Sequence, residues 1–121
     1  MKMFIGGEWT DRDDKLDVLN PFDGSVVDTV PKATPEDVAR AVATAEQGAA
    51  IMRDMPAYER YQILHRASRI MEERLDDLGR TITLEEGKIL PEGLGEAARS
   101  LETITLSAEE AKRLTGETLG L

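Results

Sequence analysis

The sequence predicts a chain of the α+β class, in which two short β-hairpins precede three long amphipathic helices. Two observations support this fold class. In residues 1–31, short apolar segments are separated by turns that contain glycine or proline. In residues 34–116, apolar residues recur at three- and four-residue steps, which is the spacing of one face of an α-helix.

The first hairpin is predicted to pair Met3–Ile5 with Glu8–Thr10. Two glycines, Gly6 and Gly7, separate these segments. Glycine readily adopts the positive φ that a tight hairpin turn needs. The pattern therefore favours two short strands joined by a two-residue turn.

The second hairpin is predicted to pair Leu16–Leu19 with Val26–Val30, and Pro31 closes its second strand. The intervening segment Asn20–Gly24 has the composition of a turn. Its proline fixes φ, and its glycine tolerates the left-handed region of the backbone map.

The first helix has a clear start at Thr34, a good N-cap residue that is followed by Pro35 at the first helical position. Glu36 and Asp37 then place negative charge near the positive end of the helix dipole. Its apolar stripe consists of Val38, Ala41, Val42, Ala45, Ala49 and Met52.

The second helix is predicted to begin after Pro56 and to end at Gly87, a suitable C-terminal cap that Lys88 follows. Gly79 lies inside its apolar pattern, where it marks either a break in the helix or a close approach to a neighbouring element. Its apolar stripe consists of Ile63, Leu64, Ala67, Ile70, Met71, Leu75, Leu78 and Ile82.

The third helix is predicted to open at Pro91 and to end near Gly116. Its apolar stripe consists of Leu94, Ala97, Ala98, Leu101, Ile104, Ala108 and Ala111. The predicted strands are too few and too short to cover three helices with open apolar stripes. The pattern therefore favours part of a larger unit in which a sheet from elsewhere packs against the helices.

Composition excludes several classes of function. The net charge of −9 and the absence of a basic run argue against nucleic-acid binding. The sequence has no cysteine, so a disulfide, a thiolate metal site and a thiol nucleophile are all excluded within this chain. Its single histidine, His65, lies beside the second apolar stripe and is interpreted as structural. No apolar segment is long enough to cross a bilayer, so we expect no membrane partner and a cytoplasmic location.

Seven segments in a fixed order, which together span nearly all of the chain, resemble the amino-terminal portion of the aldehyde dehydrogenase superfamily. They are Phe4–Trp9, Asn20–Val27, Val30–Val38, Pro56–Leu64, Glu85–Lys88, Gly95–Ser100 and Glu109–Glu117. The last segment is similar to a helix end that is common in semialdehyde, lactaldehyde and non-phosphorylating glyceraldehyde-phosphate members. Each segment alone is weak, but their order makes the resemblance specific.

The resemblance implies that residues 1–121 are the amino-terminal part of a cofactor-binding domain, with hairpins in 1–31 and helices in 34–116. The chain would then be an α+β fragment of an α/β protein, whose helices pack on a Rossmann-like cofactor domain. The implied parent is an NAD(P)-dependent dehydrogenase that oxidises an aldehyde to a carboxylic acid. Its cofactor would be NAD or NADP, and its partners the remainder of the polypeptide and further copies in a homo-oligomer.

The family mechanism does not map onto this chain. In the family, a cysteine attacks the aldehyde, hydride passes to NAD(P)⁺, and a glutamate-activated water releases the acid. An asparagine holds the oxyanion, but the only asparagine here is Asn20, in a turn. No glycine-rich nucleotide fingerprint follows a strand. We therefore expect no catalytic, cofactor-binding or metal-binding residue, and we expect the chain alone to be inactive and to bind neither NAD nor NADP.

One residue is a candidate for substrate binding. The resemblance implies that a basic residue near the end of the third predicted helix, here Arg113, can help to bind the phosphate or carboxylate of an anionic substrate. Attraction of a cation to a helix C-terminus explains the same position. Glu96 and Ser100 lie in a region that lines part of the family's substrate entrance, although a solvated helix face explains them too. Glu85 and Glu86 are adjacent and point in different directions, so they are interpreted as surface or cap residues.

Two functions remain open from sequence. The first is the amino-terminal segment of an aldehyde dehydrogenase that acts on a short hydroxyaldehyde, a semialdehyde or a phosphorylated aldehyde. The second is a small acidic helical interaction module without catalytic activity. The first predicts that the isolated chain exposes apolar helix faces and either self-associates or behaves as a loosely packed state, whereas the second predicts a stable monodisperse fold.

Overall fold

The computed structural model describes residues 1–116 and residue 119. The end of the last family-like segment, Glu117, lies outside the described residues. Four strands and four helices occur in the described part. They are β1 (Met3–Ile5), β2 (Glu8–Thr10), β3 (Lys15–Leu19), β4 (Val26–Pro31), α1 (Pro35–Asp54), α2 (Ala57–Glu73), α3 (Leu75–Glu86) and α4 (Leu90–Ala111).

Both predicted hairpins are present as separate two-stranded antiparallel sheets. In the first, Phe4 lies opposite Trp9, and their rings are 5.0 Å apart. Gly6 and Gly7 in its turn have φ values of 60° and 87°. In the second, β3 pairs with β4, and the turn between them closes through a 2.8 Å bond from the Gly24 N–H to the Asn20 carbonyl.

The predicted start of α1 is confirmed, and it forms a complete capping box. The Thr34 hydroxyl accepts a hydrogen bond from the Asp37 N–H at 3.3 Å, and the Asp37 carboxylate accepts one from the Thr34 N–H at 3.1 Å. Two donors that the first helical turn leaves unpaired are thereby satisfied.

The carboxylate of this capping box also receives Arg12 from the connection between the hairpins. Arg12 Nε and Nη2 donate to the two Asp37 oxygens at 3.0 and 2.5 Å. Asp37 is only 2% exposed. The Arg12 hydrogen bonds hold the pKa of Asp37 below its usual range, and the Thr34 N–H adds to that effect. The pair therefore ties α1 to the strand-rich part of the chain.

The apolar stripe of α1 does not face the hairpin against which the helix packs. Of the stripe residues only Ala41 is half-buried, and it adjoins the half-buried Thr44 and Gly48 on a neighbouring face of the helix. Thr44 lies so close to the first turn that a Cβ atom on Gly6 would be 2.9 Å from its methyl carbon. Val38 and Val42 remain 55% and 57% exposed. Within the described residues, no element covers the stripe broadly.

The structure has four helices, so the prediction of three is wrong. The segment expected to form one helix is broken at Arg74, where φ is −117° and ψ is 17°. The Arg74 N–H donates to the Met71 carbonyl at 3.0 Å, a tighter turn than that of an α-helix. The break redirects the chain so that α2 and α3 both pack against α4.

The helix does not break at Gly79. Gly79 instead marks a close approach to a neighbouring element, which is the second alternative predicted from the sequence. A Cβ atom on Gly79 would lie 2.9 Å from the Leu94 Cα in α4. A Cβ atom on Gly93 would lie 2.5 Å from the Gly79 carbonyl oxygen and 2.6 Å from the Thr83 hydroxyl. The two helix backbones thus meet through glycine.

The core is built around α4 from small residues. Ala97 and Ala108 are each 1% exposed, and Ala111 and Gly93 are also buried. No large side chain among the described residues is fully buried. The helices therefore pack closely but enclose little apolar volume.

The two predicted helix ends differ in outcome. Gly87 caps α3 with a φ of 74°, as predicted, and its N–H donates to the Thr83 carbonyl at 3.0 Å. A Cβ atom on Gly87 would lie 2.8 Å from the Pro21 ring, so the turn of the second hairpin packs against the end of α3. The prediction that Gly116 ends the last helix is wrong, because α4 ends at Ala111.

Candidate functional site

The candidate substrate residue, Arg113, lies in the turn that follows α4. Its N–H donates to the Glu110 carbonyl at 2.9 Å, which tightens the end of the helix. Its side chain is 67% exposed and forms a loose ion pair with Glu110, at 3.4 Å between nitrogen and oxygen. An exposed pair of this kind contributes little to stability. The guanidinium therefore has most of its hydrogen-bonding capacity available.

Lys112, the neighbouring cation, is engaged differently. Its Nζ lies 4.0 Å from the centre of the Tyr61 ring on α2 and 2.7 Å from the Glu109 carboxylate. The hydrogen bond from Lys112 lowers the pKa of Glu109 below its usual range. Tyr61 in turn stacks on His65 at 5.3 Å, so the histidine that was interpreted as structural has an aromatic partner. Lys112 thus joins α4 to α2, whereas Arg113 points to solvent.

Glu96 and Ser100 lie far from Arg113 along α4. Ala111, where α4 ends, lies 15 positions after Glu96, which corresponds to about 22 Å of helix at roughly 1.5 Å per residue. Both residues border an open groove of about 540 Å³ between α2 and α4. That groove is lined by Leu64, Met71, Glu96, Arg99, Ser100, Thr103, Ile104 and Ser107.

Both candidate residues that border this groove, Ser100 and Glu96, are already paired within the chain. The Ser100 hydroxyl donates to the Glu96 carbonyl at 3.0 Å, a bond within its own helix. The Glu96 carboxylate is bound by Lys88, which also pairs with Glu86 at 2.6 Å. Hydrogen bonds to Glu86 and Glu96 raise the pKa of Lys88, and the bond from Lys88 lowers that of Glu96. The arrangement lacks a hydroxyl beside a base, so it offers no activated nucleophile.

Two ion pairs that join different elements were not predicted from the sequence. Arg12 was not singled out, although the Thr34-x-x-Asp37 pattern of a capping box could have shown that its partner has a fixed position. Lys88 was noted only as the residue that follows the Gly87 cap, but its side chain also reaches α4. No local pattern signals either contact, because each joins elements that are distant in sequence or separated by a turn.

The described residues lack the glycine-rich turn of a Rossmann-type nucleotide site. β4 is the strand that leads directly into a helix, and its connection Lys32–Thr34 contains no glycine. A phosphate-binding turn of the Rossmann type requires glycines there. Residues 1–116 and 119 also contain no group of three or more candidate metal ligands. None of their helices is both long and apolar enough to cross a membrane.

Comparison with known proteins identifies the class of protein to which this arrangement of hairpins and helices belongs. Residues 9–121 match the model of the aldehyde dehydrogenase family. The chain belongs to the aldehyde dehydrogenase family, and the predicted membership is confirmed.

Individual relatives agree with this assignment. The chain is 41% identical to a glutarate-semialdehyde dehydrogenase of Pseudomonas putida over 96% of its own length and 25% of the relative's. It is 38% identical to the NADP⁺-dependent succinate-semialdehyde dehydrogenase of Escherichia coli, over 95% and 24% of the two lengths. A solved succinate-semialdehyde dehydrogenase from Burkholderia pseudomallei has a TM-score of 0.91 at 38% identity, with 99% and 25% of the two chains covered. The chain spans about a quarter of the length of the curated relatives it matches.

Proposed function

We propose that this chain forms the amino-terminal part of the cofactor-binding domain of an NAD(P)-dependent enzyme that oxidises an aldehyde to a carboxylic acid. The family match over residues 9–121 carries the proposal. The E. coli relative is an NADP⁺-dependent enzyme, and a similar solved structure, a betaine aldehyde dehydrogenase from Staphylococcus aureus, is a complex with NAD⁺. The intact enzyme is a homo-oligomer in this proposal.

Within that enzyme, this chain contributes to the fold and supplies no reacting group. It contains no cysteine, and its paired carboxylates and hydroxyls are bound within the chain. The nucleophile, the general base and the nucleotide site therefore belong to the remainder of the polypeptide. The chain alone is inactive, and it binds neither NAD nor NADP.

The chemistry of the relatives supports an anionic aldehyde as substrate. Similar proteins are dehydrogenases of glutarate semialdehyde, 3-sulfolactaldehyde, malonate semialdehyde and succinate semialdehyde. Each of these aldehydes carries a carboxylate or a sulfonate at the end opposite the reacting carbon. Binding such a group favours a guanidinium, which presents several donors in one plane. Arg113 is exposed and only loosely paired, so it is the candidate for this contact.

The function is tested with a chimeric enzyme in which this chain replaces the corresponding amino-terminal quarter of the E. coli relative. Aldehyde-dependent formation of NADPH is measured for the chimera and for the 121-residue chain alone. We expect activity from the chimera and none from the isolated chain. Aldehyde oxidation by the chain alone would contradict the assignment of the reacting groups to the remainder.

The role of Arg113 is tested in the same chimera by the substitution Arg113→Ala. We expect the KM for succinate semialdehyde to rise about tenfold, because a hydrogen bond to a charged group contributes roughly 1.5–3 kcal/mol. The KM for butanal, a neutral aldehyde of the same length, should stay within about twofold.

Lys112→Ala is the matched control, because it also removes one positive charge at the end of α4. Lys112 is held by Tyr61 and Glu109, so its loss should change both KM values equally. Equal effects of Arg113→Ala on the two aldehydes would leave Arg113 as a cation that only complements the helix dipole.

A further inference from the structure

The five lysines of the chain differ in how their ammonium groups are paired. They are Lys2, Lys15, Lys32, Lys88 and Lys112, and the structure describes all of them. A lysine amine condenses with an aldehyde to a Schiff base when its nitrogen is free and unprotonated. A protein that meets aldehydes exposes its own lysines to this reaction, so the partners of each ammonium group decide which of them react.

Three of the lysines are each paired with one carboxylate. These pairs, with the distance from Nζ to the carboxylate oxygen, are Lys15 with Asp11 (3.2 Å), Lys32 with Asp14 (3.6 Å) and Lys112 with Glu109 (2.7 Å). A paired ammonium group must leave its partner and lose a proton before its nitrogen can attack a carbonyl carbon. These lysines are therefore less available to an aldehyde than an unpaired lysine.

Lys88 is paired more fully, with carboxylates from two helices. Its Nζ lies 2.6 Å from the Glu86 carboxylate at the end of α3 and also binds the Glu96 carboxylate on α4. Hydrogen bonds to Glu86 and Glu96 raise the pKa of Lys88, so its free amine is scarcer.

Burial does not distinguish Lys88 from a lysine with one partner. Its side chain is 35% exposed, which equals the exposed fraction of Lys15. Lys88 also borders an open cleft of about 400 Å³ beside α4, which a small aldehyde can enter. Any difference in reactivity between Lys88 and Lys15 therefore results from the carboxylates that hold the ammonium group.

Lys2 has no such partner. It immediately precedes β1 and is exposed, and its Nζ forms no hydrogen bond or ion pair within residues 1–116 and 119. Asp11 lies near enough for the charge of Lys2 to influence it, but that carboxylate is bound by Lys15. The Lys2 ammonium group therefore has only to lose a proton to water before it can react.

We propose that Lys2 is the lysine at which aldehydes modify this chain, and that the carboxylates of Glu86 and Glu96 protect Lys88 from the same reaction. The Lys2 ammonium group first gives one proton to water. The lone pair of Nζ then attacks the carbonyl carbon, and the π electrons of the C=O bond move to oxygen. Loss of water from this carbinolamine leaves a C=N bond, so no oxidant or reductant is consumed.

The test compares each lysine with itself in the folded and the unfolded chain. The 121-residue chain is treated at neutral pH with butanal and sodium cyanoborohydride, in buffer and in guanidinium chloride. Cyanoborohydride delivers a hydride to the imine carbon and converts the imine to a stable secondary amine. Mass spectrometry, after digestion with a protease that does not cleave at lysine, gives the rate at each lysine. The α-amine of Met1 is counted separately.

The ratio of the folded to the unfolded rate is the quantity that decides. For Lys2 we expect the two rates to agree within about twofold, because it has no ion pair to lose on unfolding. Lys88 should react about tenfold more slowly in the folded chain, because hydrogen bonds between charged groups stabilise its ammonium form. The lysines with one exposed partner should be slowed by about two- to fivefold. Equal ratios for Lys2 and Lys88 would overturn the proposal.

Two substitutions on α4, Glu96→Gln and Glu102→Gln, separate the ion pair from the net charge. Both remove one negative charge, but Glu102 is exposed and forms no ion pair within the described part of the chain. In the folded chain, Glu96→Gln should speed the modification of Lys88 by about threefold or more. Glu102→Gln should change that rate by less than about 1.5-fold, because salt screens exposed charges at a distance. Equal effects of the two substitutions would contradict protection by Glu96.

A second pair keeps the test decisive if Glu96→Gln does not fold, which far-UV circular dichroism would show. Glu86→Gln and Glu85→Gln change adjacent residues at the end of α3, and only Glu86 binds Lys88. Faster modification of Lys88 in Glu86→Gln alone would support the proposal, and no difference between the two would refute it.

This inference goes beyond the proposed function, and the two can fail separately. A chimera that forms NADPH, together with a chain in which Lys88 reacts as readily as Lys2, would support the function and overturn the lysine assignment. An inactive chimera, together with selective modification of Lys2, would have the opposite meaning.

Discussion

Replacing Gly93 with alanine tests the contact that sets the distance between α3 and α4. A Cβ atom at this position would lie 2.5 Å from the Gly79 carbonyl oxygen and 2.6 Å from the Thr83 hydroxyl. The first of these atoms belongs to the backbone, so it cannot turn away as a flexible side chain would. The helices must separate or shift to admit the methyl group.

The expected effect is a difference between two opposing terms. Overpacking a close contact costs about 1–3 kcal/mol, whereas alanine gains about 1 kcal/mol over glycine in a helix interior. Because the clash is with backbone, we place the overpacking cost at the upper end. Gly93→Ala should therefore lower the free energy of unfolding by about 1–2 kcal/mol.

Gly95 provides a control two residues further along the same helix. A Cβ atom there would meet nothing within 4 Å, so Gly95→Ala should raise the free energy of unfolding by about 0.5–1 kcal/mol. Urea denaturation of the 121-residue chain, followed by circular dichroism at 222 nm at low protein concentration, measures both changes. The two substitutions should have opposite signs. Stabilisation by Gly93→Ala comparable with that of Gly95→Ala would refute a backbone contact between α3 and α4.

Two further predictions concern the ties between the hairpins and the helices. The folded-state pKa of Asp37 is depressed, so its stabilising effect is present above about pH 3.9, the usual unfolded value, and is lost as pH falls through the lowered pKa. Asp37→Asn should therefore lower the thermal midpoint at pH 6 and flatten its fall towards pH 3, and an unchanged pH dependence would show that the Arg12 pair does not contribute. Gly87→Ala should cost about 1–2 kcal/mol, because a φ of 74° is unfavourable for alanine and its Cβ meets Pro21. Gly116→Ala, at a glycine whose φ is not positive, should be nearly neutral in the same urea titration.

Local chemistry explains which parts of the fold could be predicted. The hairpin turns, the cap at Thr34 and the cap at Gly87 each depend on residues within four positions of one another. The φ preference of glycine and the hydrogen bonds of a capping threonine act over that range. The sequence therefore suffices to predict the hairpin turns, the start of α1 and the end of α3.

The break at Arg74 could not be predicted, because nothing in its neighbourhood disfavours a helix. No proline or glycine lies within four residues of it on either side, and the apolar stripe continues through it. The break is set by tertiary packing, since α2 and α3 each need to reach α4. Gly79 is the stronger local signal for a helix break, but it marks the close approach of the α4 backbone instead. Arg113 was singled out from a family resemblance, and its role in binding a substrate remains a prediction.

Small and large apolar residues occupy different places in this chain. Its own core is made of alanine and glycine, which allow α3 and α4 to approach closely but bury little apolar area. Larger apolar side chains such as Val38, Val42 and Met52 lie on the outside. Mutations in the small-residue core should therefore change the stability of the isolated chain more than mutations at the exposed Val38, Val42 or Met52.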